Sequence, residues 1–136
     1  MAPYVAGRST RWLKVKVYHE EEFVIGGYTA SAGSRAYFGA LLLGAYAGRD
    51  LRYVGRVGTG FSEHILADVY RRLCPLAQPT SPFVDLQRQK GATWVGPHLV
   101  AQVRFHEWTA DGKLRHPVFL GLRDDKAPRE CRLPNQ

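Results

Sequence analysis

A chain of 136 residues, 45% hydrophobic and 23% charged, has room for one domain with a modest core, and this composition excludes a disordered chain. Its 19 Lys+Arg outweigh 12 Asp+Glu for a net charge of +7, and arginine outnumbers lysine by 14 to 5, which suits phosphate recognition. That surplus points to a polyanionic partner, nucleic acid being the commonest, and no apolar run is long enough to span a bilayer.

Met1 is followed by no long apolar segment, so no secretion signal is expected. Trp12 to Tyr18 alternates, with Leu13, Val15 and Val17 on one face and Lys14 and Lys16 on the other, which predicts a strand presenting two lysines. Glu22 to Thr29 reads as a second strand, bulged or sharply coiled at Gly26-Gly27. Phe38 to Tyr46 and Leu51 to Val57 form a predicted hairpin, in which Gly48 supplies the positive φ of a short turn. Gly58-Thr59-Gly60-Phe61 follows as a flexible loop ending in an aromatic.

One helix is well signalled. Ser62 is its N-cap, Glu63 lies in the first turn, and Ile65, Leu66, Val69 and Leu73 recur at helical spacing until Pro75 stops the run. The proline-punctuated stretch 79 to 96 is expected to be a connecting loop. Leu99 to Thr109 and Leu114 to Leu120 are the last predicted strands, turned by residues 110 to 113, and the tail from Arg123 onward is expected to be peripheral. Five or six strands with a helix between the third and fourth match an OB-fold, a five-stranded Greek-key barrel, although a generic β-sandwich shares many of these signals.

The cysteines, Cys74 and Cys131, are spaced for neither a zinc site nor a disulfide framework, so a reducing cytoplasmic compartment is expected. Cys74, at the helix end, is expected to be packed rather than nucleophilic. His19, His64, His98, His106 and His116 are scattered without ligand spacing, and no metal site is expected.

Three segments carry more. Trp12-Leu13-Lys14-Val15-Lys16 resembles motif V of ATP-dependent DNA ligases. Phe119-Leu120-Gly121-Leu122-Arg123-Asp124-Asp125-Lys126 resembles motif VI of the same enzymes, and Val57 to Ser62 resembles the loop entering their OB-domain helix. With EFVIGGYT, FGALLLG and TSPF around them, they are most similar to the ligase module of the bacterial ligase D family, from about Tyr4 to about Arg129. The resemblance implies three parts: a motif V strand leading in from the nucleotidyltransferase domain over 1–18, an OB-fold domain over 19–122, and a motif VI tail over 123–136.

The resemblance also implies roles. Lys14 and Lys16 match lysines near the nucleotide's α-phosphate, where compact cations stabilise a pentacovalent centre. Arg123, Asp125 and Lys126 match the motif that closes over ATP and orients the pyrophosphate leaving group, after which the domain swings away to bind DNA. In the Gly58-Thr59-Gly60-Phe61 loop the glycines allow close backbone approach to a phosphate or sugar. Phe61 either presses into the minor groove beside the nick or packs on the barrel. Arg35, Arg56, Arg88 and Lys90 are the expected backbone-phosphate contacts. Implied partners are nicked or ended duplex DNA, a nucleotidyltransferase domain in cis or in trans, and Ku in non-homologous end joining. ATP with Mg or Mn would serve the full-length enzyme, and no cofactor is expected for this domain alone.

The acceptor lysine of the family lies in a Lys-x-Asp-Gly motif, and none of the five lysines here is followed by such a pattern. The chain is therefore expected to be inactive by itself, either as the DNA-binding part of a ligase or as a stand-alone module acting in trans.

Overall fold

The computed structural model describes residues 18–30 and 37–133. Its spine is β1 (His19–Thr29), an eleven-residue strand with neighbours on both sides. On one side runs the antiparallel hairpin of β2 (Leu41–Ala47) and β3 (Asp50–Val57), turned at Gly48, whose φ is +66°. On the other, residues 19 to 24 of β1 pair with β6 (Val100–Phe105), and residues 27 to 29 pair with β5 (Ala92–Val95). β4 (Ala77–Gln78) borders β5, and β9 (Val118–Arg123) pairs with β6. A small separate ribbon joins β7 (Glu107–Trp108) to β8 (Leu114–Arg115).

The five principal strands therefore lie in the order β3-β2-β1-β6-β9. After β3 the chain leaves the hairpin, forms the helix and returns on the far side of β1, a Greek-key step. This is a mainly β architecture consistent with an OB-fold. The sheet is not closed by a ladder between its edges β3 and β9. The edges meet instead through one backbone bond, in which Phe119 N donates to Thr59 O at 2.8 Å.

Helix α1 (Glu63–Leu73) is capped as expected, with the Ser62 hydroxyl accepting from Ile65 N at 3.2 Å. It buries Leu66, Val69 and Leu73 against the main core, where Phe23, Ile25, Leu41, Leu43, Val103 and Phe105 also lie. A short 3₁₀ turn, Cys74–Leu76, ends the helical run at Pro75.

Three expectations need correction. The 79–96 stretch holds β5, and it also drapes over the outer face of the sheet. Phe83 is fully buried there, in a second cluster with Val24, Leu42, Leu51, Val100 and Cys131. It is seated by a parallel bridge to Leu51, by Val84 N donating to Leu51 O, and by the Asp85 carboxylate accepting from Tyr53 N at 2.9 Å. Nor is the tail peripheral. β9 extends to Arg123, Cys131 is buried, and residues 131 to 133 are bonded on both sides of Tyr46. The long Leu99–Thr109 strand is also interrupted, at His106, between β6 and β7.

The Phe83 ring occupies space that two glycines leave open. A Cβ on Gly26, the bulge between Ile25 and Gly27, would lie 2.4 Å from the ring, and one on Gly44 would lie 2.5 Å from it. Burying such a side chain is worth roughly 1.5–3 kcal/mol. Gly26→Ala and Gly44→Ala are each expected to cost about 1–3 kcal/mol by overpacking, and Phe83→Ala about 3–5 kcal/mol. In a Phe83→Ala background the Gly26→Ala cost should shrink, which a double-mutant cycle in urea measures; additive costs would show that the ring is not what demands glycine.

Candidate functional site

The site grows from the alternation of β1. Phe23 and Ile25 point into the main core, so Glu20, Glu22 and Val24 take the outer face. On the neighbouring strand the same parity sends Ala101 and Val103 inward and leaves Val100 and Gln102 outside. One half of this outer face is apolar and covered by Phe83. The other half is polar, and the end of β9 lies across it.

Arg123, at the last position of β9, is held on three sides. Its Nε and NH2 donate to the two carboxylate oxygens of Asp125 at 2.9 and 3.0 Å, the planar fork expected of arginine on a carboxylate. Its NH1 reaches Glu22 at 3.3 Å and the Gln102 carbonyl oxygen at 3.4 Å. The Lys126 ammonium donates to the other Glu22 oxygen at 2.8 Å. Glu22, half-buried, thus gathers two cations with its two oxygens. Asp124 turns the other way and pairs with Arg72 at the end of α1, at 2.7 Å.

This geometry shifts the charged groups in consistent directions. The hydrogen bond from Arg123 holds the Asp125 carboxyl below its ordinary value of 3.8. The bond to Glu22 holds the Lys126 ammonium above its ordinary 10.5, against a smaller effect of burial. In the cluster two carboxylates, Glu22 and Asp125, face two cations, Arg123 and Lys126. Glu22 and Gln102 were not singled out from the sequence. The outward parity of Glu22, next to inward Phe23, was the available signal.

The glycine-rich loop after β3 has a different environment. Thr59 and Gly60 are exposed, yet the Gly60 backbone, at φ +101°, passes so close to β9 that a Cβ would lie 2.4 Å from Phe119 O. Phe61 stacks on Phe119 with ring centroids 4.5 Å apart and meets Phe38 edge-on at 5.3 Å. Of the two readings of Phe61, this packing favours the aromatic as part of the core between Phe38 and Phe119. A Cβ on Gly58 would lie 3.0 Å from Gly39 O.

The remaining expected contacts are dispersed. Arg56 is exposed on β3 and hydrogen-bonds the Tyr53 hydroxyl. Arg88 and Lys90 are exposed on the crossover. Lys14, Lys16 and Arg35 lie outside the described residues. Cys74, expected to be packed, is exposed, and Cys131 is buried, its thiol pushed up to about 11 by burial. Among the described residues no three His, Cys, Asp or Glu side chains gather to hold a metal. No described helix is long and apolar enough to cross a membrane.

Residues 34–126, ending at Lys126 of the cluster, match the family described as the ATP dependent DNA ligase C terminal region. The chain belongs to the ATP-dependent DNA ligase family. Over 127 residues, 90% of its length, it is 44% identical to the multifunctional non-homologous end joining DNA repair protein LigD of Mycobacterium tuberculosis. It is 44% identical over 133 residues to LigD of Pseudomonas aeruginosa, and 32% identical over 135 residues, 91% of its length, to a DNA ligase of Thermococcus fumicolans. The ligase domain of M. tuberculosis LigD superposes with a TM-score of 0.77 at 45% identity, over 84% of this chain and 38% of that one. The chain spans 17% of the length of M. tuberculosis LigD and 16% of the P. aeruginosa protein.

For this ligase C-terminal region the shifts give a pH window. Asp125, with its pKa depressed, contributes stability above about pH 4 and loses it as pH falls through the folded value; Lys126, with its pKa raised, contributes below about pH 10 and loses it as pH rises. Protection of the amides of residues 123 to 131, their exchange relative to the intrinsic rate at each pH, should therefore be greatest between those limits. Glu22→Gln is expected to lower the Lys126 pKa towards 10.5, read by NMR titration of its side-chain carbons. An unmoved Lys126 pKa would show that Glu22 does not hold it.

Proposed function

We propose that this chain is the OB-fold part of an ATP-dependent DNA ligase, clamping nicked duplex DNA and orienting the pyrophosphate of ATP during adenylation of the enzyme, in repair of double-strand breaks. The observation that carries the reading is the Arg123–Asp125–Lys126 cluster mounted on Glu22 at the end of β9, within the segment that matches the ligase family. A guanidinium and an ammonium fixed side by side offer a charge pattern suited to a polyphosphate, and Asp125 sets the plane of the fork. Asp125 and Glu22 are both committed to cations and so do not fit a divalent metal, and the phosphates of ATP would bind by displacing these carboxylates from Arg123 and Lys126. Mg or Mn would be held elsewhere in the full enzyme and would supply charge neutralisation at the phosphates.

In this reading Arg123 and Lys126 orient the leaving pyrophosphate, while Lys14 and Lys16 stabilise charge at the α-phosphate. Thr59, Gly58 and Gly60 bring the loop backbone to the DNA. Phe61 shapes that loop from beneath. Arg35, Arg56, Arg88 and Lys90 contact phosphates. With no Lys-x-Asp-Gly lysine, the chain is inactive in ligation alone and works with a nucleotidyltransferase domain, and with Ku, in the cytoplasm.

Two measurements test this. DNA binding by the chain should be independent of sequence and should fall steeply with salt, because each phosphate contact releases counterions; binding indifferent to salt would contradict it. In an intact ligase carrying this region, Lys16→Ala and Arg123→Ala should each slow adenylation roughly 10²-fold while thermal unfolding stays cooperative. Loss of cooperativity would make the residue structural.

A further inference from the structure

Beyond the family cluster, the C-terminal segment carries cations at every third position: Arg123, Lys126, Arg129 and Arg132. The first two are neutralised by Glu22 and Asp125. The second two have a different setting. They converge with Arg49, from the tip of the β2–β3 hairpin, on an open cavity of about 630 Å³ whose lining is completed by Tyr46 and Gly48. Among the described residues, none of these three arginines takes part in an ion pair.

The backbone around this cavity is tightly framed. Tyr46 N donates to Cys131 O at 2.7 Å and Leu133 N donates to Tyr46 O at 2.9 Å, so Arg132 is bridged in parallel to Tyr46. Buried Cys131 pins the segment beneath Arg132, and a 3₁₀ turn at Pro128–Glu130 sets Arg129 before it. Gly48, at φ +66° and with open space where a Cβ would stand, turns the hairpin so that Arg49 sits at its tip. The nearest acidic neighbours in sequence do not fill the site. The Glu130 carboxylate accepts from Ala127 N at 3.1 Å, and Asp50 lies in the β3 ladder opposite Ala47.

Three guanidinium forks on a fixed frame, without a described carboxylate among them, are suited to a tetrahedral oxyanion. We propose that Arg49, Arg129 and Arg132 form a phosphate-binding pocket that takes a backbone phosphate of duplex DNA, separate from the Glu22 cluster. The assignment rests on the DNA-binding reading above, and it adds a contact point at the hairpin tip, at the opposite end of the β2–β3 ladder from the glycine-rich loop.

The test compares two charge-matched variants of this chain, Arg129→Gln/Arg132→Gln and Arg71→Gln/Arg115→Gln, in titrations with labelled duplex DNA over a salt series. The first is expected to weaken binding about fivefold or more and to lower the slope of log K against log salt by about one, the signature of one lost phosphate contact. The second should do neither, and Arg129→Lys/Arg132→Lys should restore the slope. Side-chain Nε–H resonances of Arg49, Arg129 and Arg132 should shift on adding DNA. Equal weakening in both glutamine variants overturns the pocket and leaves the DNA reading standing. Wild-type chain that binds no DNA at low salt overturns both together. Resonances that shift with inorganic phosphate but not with DNA make this a free-phosphate site and overturn the DNA assignment.

Discussion

The pleat of β1 is the constraint on which the other features rest. Because successive side chains alternate, this one strand sends Phe23 and Ile25 into the main core and presents Glu22 and Val24 to the outside. Val24 then helps seat Phe83, and Glu22 receives Arg123 and Lys126. A slip of one residue would drive Glu22 into an apolar interior and expose Phe23, at a cost of several kcal/mol for an unpaired carboxylate. Core, crossover and charged cluster therefore share a single register.

Glycines set where that sheet can bend and be approached. Gly26 and Gly44 lie under the Phe83 ring, and Gly60 lets the loop after β3 run against the backbone of β9. The last contact has a functional side. Phe61 stacks on Phe119, only four residues before Arg123 on the same strand, and Thr59 accepts the amide of Phe119. Loop and cluster are thus anchored to opposite ends of β9, so displacing one strains the strand that carries the other. The glycine-rich loop reads from sequence as a flexible surface element, yet three of its four residues, Thr59, Gly60 and Phe61, lie against Phe119 of β9.

What was legible in the sequence followed strong local rules. Ser62 as N-cap, the helical spacing of Leu66, Val69 and Leu73, the bulge at Gly26-Gly27 and the β2–β3 turn at Gly48 all arise from interactions within a few residues. The crossover did not yield to such rules, because Phe83 belongs to a core assembled from β1, β2, β3 and β6, and a lone phenylalanine among prolines carries no period. The tail was misread for the same reason. Its polar composition hides Cys131, whose burial depends on Tyr46, some eighty-five residues earlier. In the cluster, the motif picked out Arg123, Asp125 and Lys126, but their partner Glu22 lies more than one hundred residues away in sequence and is joined to them only by the β1–β6–β9 ladder.

Net charge describes this molecule less well than the pairing of its charges. Arg71, Arg72, Arg115, Arg123 and Lys126 are each matched to a carboxylate, so positive charge is locally offset along α1 and at the cluster. Surface pairs of this kind add little stability, typically 0 to about 1 kcal/mol each. Their larger effect is to subtract charge from some places and leave it in others. The cations left over include Arg49, Arg129 and Arg132, which the hairpin tip and the clamped tail bring to one cavity. A polyanion approaching such a surface meets a gradient rather than a uniform coat, and its orientation is set by where acidic partners are missing. By that argument the same segment serves two ends. Where Glu22 is present, it fixes cations for a defined geometry; where no carboxylate is at hand, it leaves them open to phosphate.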